Sequence, residues 1–170
     1  MTKTHKELEV YGVRKLAEVY AGLDHEQVHA ALCADDPNFA LIEGPQFALE
    51  YAGGRLAMAC RAWEAACLEN GVKDEGSVKI FLRAVMNSFK TPEHVAAADA
   101  FSSYLHCGDE DQGAAAAVTE KMFQRIKVDA ILATAEGSQR AASAAFERLM
   151  LLSESFRTEF ENDFFEFIHS

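Results

Sequence analysis

Apolar residues recur along this chain at intervals of three and four almost without interruption, and alternation at intervals of two is never sustained. The first spacing is that of one face of a helix, and the second would be needed for a half-buried strand. β-branched residues are few, while alanine, the strongest helix former, appears in runs such as Ala114 to Ala117. These signals exclude most sheet-containing folds. At 170 residues, 49% hydrophobic and 25% charged, the chain has the size and composition of one globular domain rather than a disordered segment. The expectation is an all-α fold, a compact helical bundle of six to seven helices with a long C-terminal helix, occupying residues 1–170 as a single domain.

Proline and glycine mark the expected ends. A first helix over about 4–21 carries Leu8, Tyr11, Leu16, Val19 and Tyr20 on one broad face and is followed by Gly22. Asp24 then stands as an N-cap with Gln27 three residues on, opening a short second helix that stops before Asp35-Asp36-Pro37. Pro45 opens a long third helix reaching about Asn70, before Gly71. Its seam is Leu49, Ala52, Leu56, Ala59, Trp63 and Ala66, with Gly53-Gly54 inside it as a kink, a close backbone contact or a place where a ligand passes. A fourth helix presents Val78, Phe81, Leu82, Val85, Met86 and Phe89. Thr91-Pro92-Glu93 opens a fifth with Val95, Ala98, Phe101 and Leu105 inward. A sixth spans about 112–135 with Val118, Met122, Phe123, Ile126 and Ala130 as its apolar face, and Gly137-Ser138 restarts the chain into a seventh over about 139–168.

The formal net charge of −11 argues against direct binding of nucleic acid or an anionic membrane, and suits solubility or a basic protein partner. No apolar run approaches the roughly 18 residues of a spanning helix. The opening MTKTHKELEV is polar, without the apolar core of a signal peptide, so a cytoplasmic protein is expected. Cys33, Cys60, Cys67 and Cys107 form no CxxC pair and read as reduced thiols.

One pentapeptide carries chemistry. His25-Glu26-Gln27-Val28-His29 reads H-E-x-x-H and resembles the zinc-peptidase signature over those five residues. Residues four apart share a helix face, so His25 and His29 could hold one zinc ion with Glu26 as general base toward its bound water. Cys33, Asp35 or Glu50 would supply a third ligand. Against this, the motif sits in the first helical turn, where acids are favoured by the helix dipole, and zinc peptidases hold substrate on a strand edge that this sequence lacks. No Ser/His/Asp or Cys/His triad has a recognisable setting.

The last helix offers a second candidate. Phe156, Phe160, Phe164 and Ile168 follow at intervals of four, with Phe165 and Phe167 beside them and acidic residues between. These six would form an interaction surface, for a partner's groove or a homodimer seam. The leading expectation is therefore a non-enzymatic adaptor, regulator or accessory subunit acting through protein–protein contact, without a cofactor. A zinc-dependent hydrolase is the alternative. A pocket for a small hydrophobic ligand or pigment at Gly53, Gly54 and Trp63 is the third reading.

Overall fold

A computed structural model describes residues 5–21, 25–37, 44–71, 76, 79–80, 83, 92–105, 107, 113–126 and 135–169. Six helices are formed among them: α1 (His5–Ala21), α2 (His25–Asp35), α3 (Gly44–Glu69), α4 (Pro92–Tyr104), α5 (Ala114–Arg125) and α6 (Ala135–His169). No strand occurs among the described residues, and none of these helices is long and apolar enough to cross a membrane. Lys79, Ile80 and Arg83 are helical, but the expected apolar face from Val78 to Phe89 lies outside the described residues.

The organising element is α3, which packs against each of the other five helices. A helix enclosed in this way must be apolar nearly all round, and α3 is: Leu56, Ala57, Met58, Ala59 and Cys60 are five consecutive residues with no exposed surface. The expected seam is present from Ala52 to Ala66, though Leu49 is only half-buried. Phe47, Tyr51, Ala62 and Cys67 add the faces that a single seam omits. Full burial of Phe47, Leu56, Met58 and Trp63 contributes roughly 2–3 kcal/mol each.

Small residues set how closely the neighbours approach. A Cβ on Gly53 would stand 2.6 Å from the Phe101 backbone nitrogen and 2.7 Å from the Ala100 Cβ, so α4 crosses α3 backbone to backbone at this point. One residue later, a Cβ on Gly54 would meet Met122 Cε at 3.0 Å and Val118 Cγ1 at 3.1 Å on α5. The glycine pair is thus a double crossing point. On the far half of α3, Gly12 of α1 leaves room for the Trp63 indole. That ring also packs against Tyr11 at 5.8 Å between centroids and edge-on against Phe160 of α6 at 5.8 Å.

Several ends fall where proline and glycine place them. Gly71, at φ 71°, follows α3 and donates its N–H to Leu68, and Pro92 is the first residue of α4. Three details differ from expectation. The buried residues of α4 include Ala100, Phe101 and Tyr104, whereas Val95 is exposed; the crossing at Gly53 fixes which side faces inward. The last helical residue of α5 is Arg125; Ile126 still donates its N–H to Met122 at 2.9 Å but itself turns to extended backbone. No proline or glycine stands there; Arg125 is tied to α3 and α4, and Ile126 is sealed in the core. Finally, α6 begins at Ala135 and takes Gly137 into its first turn, where the amide N–H groups have no partner within the helix and glycine costs little.

Candidate functional site

Three places hold the chemistry. The first is α2, where residues 25, 29 and 33 lie one turn apart along one face. Cys33 Sγ stands 3.5 Å from His29 Nε2, and both side chains are half-buried. The His29 ring meets Phe47 of α3 edge-on, with centroids 6.4 Å apart, which fixes its plane against the core. The side chains of His25 and Glu26 lie outside the described residues. The other proposed ligands are engaged elsewhere: Asp35 pairs with Arg148 at 2.9 Å, and the Glu50 carboxylate is held by Arg125 and Tyr104. Among the described residues no three His, Cys, Asp or Glu side chains converge.

The second place is the Glu50 cluster, which joins α3, α4 and α5. Glu50 is 9% exposed and accepts hydrogen bonds from the Tyr104 hydroxyl and from Arg125 Nε at 2.9 Å. The remaining guanidinium nitrogens of Arg125 donate to Ser103 Oγ at 2.8 Å and Asp99 Oδ2 at 2.7 Å. Hydrogen bonding to Glu50, ahead of burial's opposing effect, pushes the Arg125 pKa up, so it stays charged. Burial first, and then the hydrogen bond to a carboxylate, push the Tyr104 phenol far above its usual value and keep it neutral. Every strong acceptor in this cluster has a donor from within the chain, which is the character of a structural tie. Spacing alone could not have found it, because Glu50 and Arg125 are 75 residues apart.

Near the same helix junction, Arg61 of α3 donates to the carbonyl oxygens of Leu105, at 3.4 Å, and Cys107. It satisfies acceptors left open just beyond the end of α4. Burial raises the Cys60 thiol well above its ordinary pKa, which makes it an inert core residue.

The third place is a groove between α5 and α6 of about 310 Å³, lined by Gly113, Ala115, Ala116, Phe146, Met150, Ser153 and Glu154. Met150 is 42% exposed, and Leu151 beside it is 60% exposed. The six residues expected to form an interaction surface lie farther along α6. There Phe156 and Phe160 are core residues of their own chain, stacked with ring centroids 6.0 Å apart and with Arg55 over Phe156. The side chains of Phe164, Phe165, Phe167 and Ile168 lie outside the described residues.

Gly53, Gly54 and Trp63, the residues of the ligand-pocket reading, are packed within the chain. The space beside both glycines is filled by α4 and α5, and Trp63 has no exposed surface. Comparison of the chain with protein-family models, curated proteins and solved structures gave no match.

Proposed function

We propose that this protein acts without catalysis of its own, as a helical module for protein–protein contact, and that it self-associates through α6. The observation that carries this reading is the apolar stretch where Phe146 and Met150 line the groove with Ala115 and Ala116, and Leu151 stands exposed beside them. A groove with one hydroxyl and one carboxylate offers few polar groups to orient a small polar substrate, whereas it accepts apolar side chains of an opposing helix. The Glu50 carboxylate already accepts from Tyr104 and Arg125 of its own chain, as a structural tie would.

Light scattering and sedimentation over a range of protein concentrations test the reading. The expected result is a dimer that the paired substitutions Met150→Asp and Leu151→Asp convert to monomer with helical content unchanged. A wild-type chain that stays monomeric at all concentrations sinks self-association. Phe164→Ala with Phe167→Ala in the same assay tells whether the contact extends to the C-terminal turns.

A further inference from the structure

We infer that α2 holds a thiolate-containing site for a soft divalent metal ion of the zinc class, with His29 and Cys33 as its paired ligands. Zinc binds a cysteine sulfur at about 2.3 Å and an imidazole nitrogen at about 2.0–2.1 Å, and a tetrahedral angle between these bonds separates the two donor atoms by about 3.5 Å. The separation of Cys33 Sγ and His29 Nε2 is 3.5 Å. The far nitrogen, Nδ1, is 3.9 Å from the sulfur, so Nε2 is the donor the geometry selects.

Three further features fit. Both side chains are half-buried, accessible to an ion yet partly removed from water. Contact with Phe47, which is fully buried, holds the imidazole plane, so little rotamer freedom is lost on binding. Residue 25 is also a histidine, four residues before His29 in the sequence, the spacing of one helical turn.

This site differs from the hydrolase reading in kind. It centres on the 29 and 33 pair and includes a sulfur, which favours zinc, cobalt or cadmium over magnesium and calcium. It needs no role for Glu26. Binding exchanges one proton for one metal bond: the Cys33 S–H bond breaks, the sulfur keeps the electron pair and binds the ion, and the proton leaves to water. The ion would staple two successive turns of α2 where that helix packs on α3.

Cobalt(II) titration of the full chain under reducing conditions tests the inference, because a cobalt–thiolate bond gives a charge-transfer absorption in the near ultraviolet. The expected result is one cobalt per chain with that band, displaced by zinc. Cys33→Ala removes the band, His29→Ala weakens binding at least tenfold, and Cys107→Ser leaves both unchanged. A second measurement needs no variant: zinc should protect Cys33 of the wild-type chain from alkylation by iodoacetamide, read by peptide mass spectrometry. No thiolate band with excess cobalt, a band that survives Cys33→Ala, or equal alkylation with and without zinc would each overturn it, leaving the pair as an S–H···N hydrogen bond.

Discussion

Two buried groups show how single residues hold this bundle. Glu50 brings a negative charge into the junction of three helices, and its cost is offset only because Arg125 and Tyr104 both donate to it. Glu50→Ala would leave the guanidinium without its buried partner. Arg125 is 25% exposed and keeps Asp99, so the loss is below that of a fully enclosed pair. A destabilisation of about 2–3 kcal/mol is expected in urea denaturation. Tyr51 makes a prediction in pH. Burial, against the opposing influence of Arg148 and Arg55, raises its phenol from 10.0 to about 12. A folded pKa above the unfolded one means that the native state holds its proton longer, so the stabilisation is complete below pH 10 and declines as pH rises from 10 to about 12. Each unit of that window is worth about 1.4 kcal/mol per tyrosine. Equilibrium unfolding at pH 9 and pH 11.5 should therefore show a fall in stability that is shallower in Tyr51→Phe. An identical fall in both proteins would count against the argument.

At the scale of the helix, the adjacent glycines of α3 separate two kinds of contact that sequence treats as one. Alanine at either position should gain about 1 kcal/mol in helix propensity. At Gly53 the new methyl meets backbone of α4, which cannot step aside, and the net effect should be a loss of about 2 kcal/mol. At Gly54 it meets the flexible end of Met122 and a methyl of Val118, so Gly54→Ala should lie within about 1 kcal/mol of wild type. Thermal denaturation of the two variants should rank them in that order; equal melting temperatures would refute the distinction. The pair also marks the limit of what was legible. Helix starts and stops at Asp35, Gly71 and Pro92 could be read directly, because proline and glycine act on their own neighbours. The end of α5 could not, with neither proline nor glycine to mark it, nor could the exposure of Val95, which follows from packing between distant segments. The same reason hid the partners of Glu50 and Arg61, while the His29–Cys33 proximity was foreshadowed by a spacing of four within one helix.

Across the whole molecule, enclosure of α3 by five other helices has a consequence for how the fold comes apart. A bundle of pairwise-packed helices can shed an outer member and keep the rest, but every other described helix here shares the same central neighbour. Losing α6 strips Phe156 and Phe160 from the aromatic cluster around Trp63, and losing α4 opens the Gly53 crossing and the Glu50 cluster together. Exposing one side of so apolar a helix costs several buried residues at once, which favours a single cooperative transition. Trp63 is the one tryptophan in the sequence and has no exposed surface, so its fluorescence reports on the centre, while far-ultraviolet circular dichroism reports on all helices. The two signals should give coincident urea transitions with the same midpoint, and acrylamide should quench the native indole poorly. A circular-dichroism transition that begins well before the tryptophan signal would mean that outer helices detach while the cluster around Trp63 survives, and the central-helix account of cooperativity would then be wrong.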